Sequence, residues 1–469
     1  MKNKIFDSNI TVSKAEDLRM ISIARFYVPV VFANFIASFI YPIFSSGISK
    51  FPDVHESLAA FSVSRSLYFV FASLILVLSQ TVVALVKDDH SYKLMKKFIF
   101  SILVISFGVF VIVGATPLSR LVFRDMMGVE DKFMAHTRRS FLIFSLMTIL
   151  SGLNLSLQGL TIITKRTMNI LYAMIAQIAV VYLSLLGLSK LLIFDGASSA
   201  TISYIIGTAA SVAVLYFLTY RHFRETLSAS VVLQEDIDKD KAAPLSVKSI
   251  LLFYLPLVFG MIISNNVITF INAALTRSHD AVLFVGAFDI GWSVAWLALG
   301  CVQAAHQVPL VYLRRGETNT YKKTAQFLLV LGLICSLAIA VLGFTPAGSF
   351  VLISLMGIPH DVSEQVIGLL KALTLLPLLQ IIRQYFWGVL MAHKDTGPVT
   401  WGKVIHLLTI ILFIQQGSYL KFNNPAAAIG IGMLIAEFVE IIYFLIRTKK
   451  YFRFEQETGI YKEKETLGN

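Results

Sequence analysis

Charge is scarce in this sequence. Of its 469 residues only 14% are Asp, Glu, Lys or Arg and 56% are hydrophobic, whereas an ordinary soluble domain carries roughly 25% charge. The mean hydropathy of +0.74 therefore excludes a water-soluble globular protein and places the chain in a bilayer. Cysteine is nearly absent. Cys301 and Cys335 both fall in apolar stretches, which reads them as free thiols and excludes a disulfide framework or a thiolate metal site. The His-Glu-x-x-His, Cys-x-x-Cys and Gly-x-Ser-x-Gly patterns are missing, so no catalytic residue, metal site or cofactor is assigned and the chain is read as a non-enzyme. Gly397 to Lys403 has phosphate-loop spacing, but Val404 stands where the magnesium-binding hydroxyl belongs and no strand precedes it. The first twenty residues carry Lys4, Asp7, Lys14, Glu16 and Asp17, unlike a cleaved signal peptide, so the first span is expected to be retained.

What the chain has in abundance is long apolar runs. A span needs roughly 20 such residues, and twelve stretches qualify, near 24–48, 58–86, 98–115, 138–163, 168–189, 197–220, 250–275, 281–311, 325–344, 364–392, 400–418 and 425–446. None alternates apolar and polar residues as a barrel strand would, so the spans are helices. The apolar halves repeat one another. Phe26-Tyr27-Val28-Pro29-Val30-Val31-Phe32-Ala33 returns as Phe253-Tyr254-Leu255-Pro256-Leu257-Val258-Phe259-Gly260. Thr116-Pro117, Met127-Gly128-Val129 and Lys165-x-Thr167 return at one constant offset as Thr345-Pro346, Met356-Gly357-Ile358 and Lys394-x-Thr396. The expected fold is an all-α polytopic membrane protein with about twelve transmembrane helices in two pseudo-symmetric six-helix bundles around a central cavity. Its expected parts are an N-terminal tail (1–23), a first lobe (24–220), a linker (221–249), a second lobe (250–447) and a C-terminal tail (448–469).

The formal charge of +12 follows topology. Basic residues gather in the N-terminal tail, the 87–97 loop, Lys165-Arg166, the linker, Arg314-Arg315 with Lys322-Lys323, Lys394 with Lys403, and the C-terminal tail. All of these lie on one side of a twelve-span chain, so both termini and the linker are read as cytoplasmic, in a plasma or inner membrane. Topology accounts for the charge without nucleic acid. Duplicated bundles that rock around a shared midplane cavity give alternating access, the basis for reading the chain as a secondary transporter.

Ionisable residues inside the spans point to function, because a central charge costs roughly 2.5–3.5 kcal/mol on insertion scales unless it is paired or faces water. Arg383 lies about nine residues, or roughly 13 Å, from the nearer end of its span, too deep to snorkel easily. Its planar fork matches a carboxylate or phosphate, and it reads as a substrate anchor or as half of a helix–helix salt bridge. Arg65 and Asp289 occupy equivalent spans of the two lobes, near the outer face. They read either as a gate pair that closes the inward-facing state, or as a ligand residue and an independent proton or cation site. Lys371, Asn34 and Asn265 complete the candidate binding set, Asn34 and Asn265 following Pro29 and Pro256, where a bent helix suits the wall of an aqueous cavity. Glu437 and Glu440 share one helix face and either hold a coupling proton or pair with basic residues of the second lobe. His306 reads as a packed polar residue or a titrating one.

Several of these positions also carry a resemblance. Arg25-Phe26-x-Val28-Pro29 with Asn34, Thr137-Arg138-Arg139-x-Phe141-Leu142, Asn272 and Arg277, and Arg383 followed by Gly388-x-Leu390-Met391-x-x-Lys394-x-Thr396 resemble the progressive ankylosis protein family. That family lies within the multidrug, oligosaccharidyl-lipid and polysaccharide (MOP) exporter superfamily, alongside the MATE multidrug exporters. The resemblance implies two six-helix lobes around a V-shaped cavity and export of small anions of the ATP, citrate or pyrophosphate class. The chain departs from it in having Asn265 and Ile268 in place of arginines, Arg65 in place of a tyrosine and Phe69 in place of a lysine. The expected function is efflux of a small anionic metabolite by alternating access, with a coupling proton or sodium ion as a further partner. The alternatives are a lipid-linked glycan flippase or a MATE-type drug exporter, which would prefer carboxylates in its cavity, and, more distantly, a membrane scaffold or receptor.

Overall fold

The computed structural model describes residues 19–52, 54–126, 129, 131–234, 245–275, 277–278, 280–313, 320–356 and 358–467. Side chains at some helical positions, Asn265, Asn266 and Asn272 among them, lie outside the described set. The described residues form helices joined by short turns, with no strand among them. This is what hydrocarbon requires, since each helix satisfies its own backbone hydrogen bonds.

Eleven spans are long and apolar enough to cross a membrane: Met20–Ala37, Asp89–Ala115, Met134–Ile163, Met168–Leu191, Gly196–Thr219, Val247–Ser264, Leu283–Leu313, Thr320–Phe344, His360–Ala392, Gly397–Gln415 and Pro425–Tyr451. The pair Glu56–Phe71 and Ser73–Leu85, bent by 55°, makes a twelfth. It takes second place in chain order, and the spans are numbered accordingly. The chain is thus an integral membrane protein, and the apolar stretches of the sequence correspond to its helices one for one. Helices overrun them only at polar ends. The sixth span runs on to Gln234, because no proline or glycine interrupts 221–234; the acidic part of the linker lies outside the described residues.

The sequence repeat is also a structural one. Lys165 (φ 55°) and Lys394 (φ 59°) are both left-handed and end the fourth and tenth spans in the same way. The amides of Arg166 and Asp395 reach back to the carbonyls of Thr161 and Leu390, and those of Lys165 and Lys394 to Ile162 and Met391. This double closure normally uses glycine, and lysine in that conformation costs roughly 1–2 kcal/mol. Two residues on, Thr167 donates its hydroxyl to the Phe26 carbonyl, and Thr396 donates to that of Phe253 at 2.9 Å. The accepting carbonyls lie three residues before Pro29 and Pro256, at the same place in the two proline-bearing helices. A wide, π-type turn recurs at Leu121–Met126 and Phe350–Leu355. Gly159 and Gly388 let the fourth and tenth spans approach the neighbouring backbone: a Cβ would sit 2.8 Å from the Ser79 carbonyl oxygen in the first case and 2.4 Å from that of His306 in the second.

The lobes are fastened at the end that carries the linker. Tyr27 donates to the Cys301 carbonyl (3.0 Å), Tyr312 to that of Ser22 (3.0 Å) and Tyr254 to that of Leu74. Edge-on ring pairs Phe26–Tyr312, Tyr27–Phe327 and Phe98–Tyr254 fill the same seam, and Lys165 Nζ lies 3.9 Å from the centroid of the Tyr312 ring. At the opposite end Arg138 donates to the Gly114 and Ala115 carbonyls (2.7 and 2.9 Å), capping the third span. Asp195 caps the sixth there, accepting from the Ser198 amide (2.9 Å) and hydroxyl (2.8 Å), and Arg139 lies 3.1 Å from it.

Burial disfavours the ionised Asp195 carboxylate, but Ser198 and His136 outweigh it and lower its pKa from 3.8. A lowered folded pKa means that the stabilisation is complete above 3.8 and is lost as pH falls through the folded value. Asp195→Ala should cost about 1 kcal/mol at neutral pH, and its deficit against wild type should shrink in strong acid. Thermal unfolding in detergent across the acid range checks this; a pH-independent deficit would contradict it.

Candidate functional site

Two cavities lie beyond the seam, one walled by each lobe, and they share Trp296 and Gln303 of the eighth span. The first-lobe cavity, about 350 Å³, is lined by Asn34, Tyr68, Ser151, Asn154, Gln158, Gln177 and Thr208 among apolar residues. Its described lining carries no ionised side chain. Several of these polar groups bond one another: Gln158 to Asn154 (2.7 Å), Gln177 to Thr208 (3.0 Å) and Tyr68 to Ser151 (2.9 Å).

The second-lobe cavity, about 380 Å³, has a wall of ionisable side chains formed by Arg383, Lys403, His406 and Glu437, with Glu440 behind. Three helices supply the five residues. Arg383 comes from the tenth span. Lys403 and His406 stand three apart on the eleventh, and Glu437 and Glu440 three apart on the twelfth, so each pair shares a face. Gly402 lets the eleventh and twelfth spans close on one another, since a Cβ there would lie 2.4 Å from the Phe444 ring. Arg383, Lys403, Glu437 and Glu440 are 5%, 7%, 2% and 0% exposed, a depth at which ions must be paired.

The pairing is dense. Arg383 Nε donates to Glu437 Oε1 and lies 3.7 Å from Glu440 Oε2. Lys403 Nζ is 3.1 Å from Glu440 Oε1. His406 Nδ1 sits between the carboxylates, 3.0 Å from Glu440 Oε2 and 3.5 Å from Glu437 Oε2. Trp387 flanks both cations, its ring centroid 5.9 Å from the Arg383 guanidinium carbon and 5.4 Å from Lys403 Nζ. Donor atoms of His406, Glu437 and Glu440 come within 4.8 Å of one another, close enough for a metal ion. Arg383 and Lys403 already hold those carboxylates, however, and a divalent cation would meet two fixed positive charges.

Of the sequence candidates, Arg383 and Asn34 line the cavities, and Glu437 and Glu440 have the basic partners that one reading of them supposed. The side chain of Asn265 lies outside the described residues. Lys371 is exposed, 5.9 Å from the Phe344 ring centroid, and lines neither cavity, because its long stem carries the ammonium outward. Arg65 lines neither cavity as well, and Asp289, exposed, is not paired with it. Phe69 and Ile268, where the resembled family has cations, do line the cavities. His306 is buried, bonded to Gln384 (3.0 Å) and stacked on Trp387, in keeping with a packing role. Cys301 and Cys335 are free thiols.

Lys403 needs a correction. Counting it among loop cations was wrong, because the eleventh span begins at Gly397 and buries Lys403 in its second turn. His406 escaped the sequence reading altogether. The signal that could have found both is their three-residue spacing, matched by that of Glu437 and Glu440 one span later.

No protein-family model and no curated protein matches the sequence. Solved structures do match its fold. A MOP superfamily transporter from Pyrococcus furiosus, described as having a binding pocket of reversed polarity that suggests a different function, superposes with a TM-score of 0.68 at 13% identity, covering 92% of this chain and 95% of that one. A MATE transporter in complex with MaL6 gives 0.69 at 14% identity, covering 92% and 97%. An outward-facing multidrug-resistance MATE transporter of the MOP superfamily gives 0.65 at 13%, covering 92% and 95%. This chain therefore has the two-bundle fold of those transporters.

Proposed function

We propose that the protein is a secondary transporter that moves a small anionic metabolite by alternating access, with export as the direction. The observation that carries the substrate class is the sign of the cavity walls. Two cations, Arg383 and Lys403, line the second-lobe cavity with one carboxylate, Glu437, while Glu440 stands behind them, and the first-lobe cavity adds only neutral hydrogen-bonding groups. A drug-cation exporter would favour free carboxylates in the cavity, and here they are paired. The shared fold with MOP transporters supports transport, and the resemblance to the progressive ankylosis family supports a metabolite over a lipid-linked glycan. On the positive-inside reading the fastened linker end is cytoplasmic, so this conformation faces outward. Arg65 and Asp289 stand apart in it, as a gate that closes only the inward-facing state would.

The test is efflux from proteoliposomes preloaded with labelled ATP, citrate and pyrophosphate. Wild type should release at least one of them. Arg383→Lys, which keeps a cation for Glu437 but loses the planar fork, should release it about 10- to 100-fold more slowly, the scale of one or two charge-assisted hydrogen bonds. If folded wild type retains all three anions, the substrate class is wrong.

A further inference from the structure

The ionised cluster holds an odd group. Arg383 and Lys403 balance Glu437 and Glu440, and the cluster is neutral as long as His406 is neutral. His406 is nonetheless placed for a charge: its Nδ1 lies 3.0 and 3.5 Å from oxygens of the two carboxylates, and its ring lines the cavity. Nδ1 is buried and has no hydrogen-bond partner among the described residues, so it is a polar atom facing two carboxylates without a bond to either. A second proton on the ring would make an imidazolium shared between Glu437 and Glu440, loosening their hold on Arg383 and Lys403 just where those cations face the cavity.

Resting on the anion reading above, we infer that His406 binds a proton together with the anion, so that one proton accompanies each anion through the transport cycle. The reason is electrostatic balance. A proton bound alone leaves the buried cluster at one net positive charge, and a multiply charged anion bound alone leaves it net negative. Each state is costly in a low-dielectric interior. Bound together they offset one another in part, so each raises the affinity for the other by the same factor.

The groups around His406 support this assignment. The twelfth span presents Glu437 and Glu440, the first beside Arg383 and the second beside Lys403. The tenth presents Arg383, its own helix presents Lys403, and the seventh brings Ser264 but no titratable side chain to the described wall. His406 is left as the member of the described cluster without an opposite charge of its own. His406, beside Glu437 and Glu440, thus joins these two and Asp289, the coupling candidates that the sequence offered, and is preferred to them. A proton moving with the anion also means that an inward proton gradient opposes export, so that the outward anion gradient and the membrane potential acting on the net negative charge must outweigh it.

Calorimetric titration of the full-length protein in detergent with citrate and with pyrophosphate, in buffers of different ionisation enthalpy across the neutral range, tests this. Wild type should take up one more proton per bound anion than His406→Gln does; protonation of the anion itself is common to both and cancels in the difference. On the same basis wild-type affinity should weaken about tenfold per pH unit more steeply than the variant's above the titration point. Glu440→Gln, which leaves the cluster one charge positive without a proton, should bind tightly and lose the excess slope, and it serves as an independent check should His406→Gln fail to fold. Equal proton uptake in wild type and His406→Gln, or an unchanged slope in Glu440→Gln, overturns the role of His406 while leaving the anion reading intact. Failure of wild type to bind either anion instead sinks the anion reading, and this inference with it.

Discussion

Replacing Arg383 by methionine is expected to destabilise the protein by about 3–5 kcal/mol, the cost of removing one partner from a buried ion pair. The cost arises from what stays behind. Glu437 and Glu440, 2% and 0% exposed, would share Lys403 alone. The double variant Arg383→Met/Glu437→Gln removes the orphaned charge and should recover most of the loss, since Lys403 remains opposite Glu440 at 3.1 Å. Unfolding of the wild type, both single variants and the double variant in one detergent gives the cycle, and a coupling energy near zero would mean that the two residues act independently. The same double variant separates structure from function: if Arg383 anchors the anion, efflux remains lost in a protein whose stability has returned. Restored efflux would make Arg383 a purely structural partner of Glu437.

The second large effect concerns the seam. Tyr27, Tyr254 and Tyr312 each donate a hydroxyl to a carbonyl of the opposite lobe, and each such bond contributes about 1 kcal/mol net. Changing all three to phenylalanine keeps the ring contacts and removes about 3 kcal/mol from this closure alone, which shifts the balance between the two access states by roughly two orders of magnitude. The other state is where Arg65 and Asp289 would meet. Cysteines placed at 65 and 289, in a background lacking Cys301 and Cys335, should cross-link much faster in the triple variant than with the tyrosines intact. An unchanged rate would mean either that the seam does not set the equilibrium or that Arg65 and Asp289 never approach. Spin-label distances across the seam distinguish the two, because only the first leaves them unchanged.

Much of the architecture was legible because the bilayer reduces the problem to run length. Lipid allows few solutions for a backbone, so an apolar stretch of sufficient length is a helix, and the end of each stretch sets a boundary to within a few residues. The repeat was legible for a related reason: Lys165-x-Thr167 and Lys394-x-Thr396 close the same kind of turn against equivalent proline-bearing helices, and such a turn tolerates little change. Boundaries shifted where polar helix continued past the membrane, at 221–234 and beyond 446. One shift had consequences, since three extra residues at the start of the eleventh span set Lys403 deeper in it, where it is buried against Glu440.

By itself, then, the sequence determined the class of fold, its duplication and the fact that several ions are buried, because these follow from composition and spacing along one chain. Which ions meet was decided by tertiary structure alone. Arg383, Lys403, His406, Glu437 and Glu440 lie on three helices whose rotations are set by packing, through contacts such as Gly402 against Phe444 and Gly388 against the His306 carbonyl. A rotation of one helix by a third of a turn would leave every hydropathy signal unchanged and break the cluster apart.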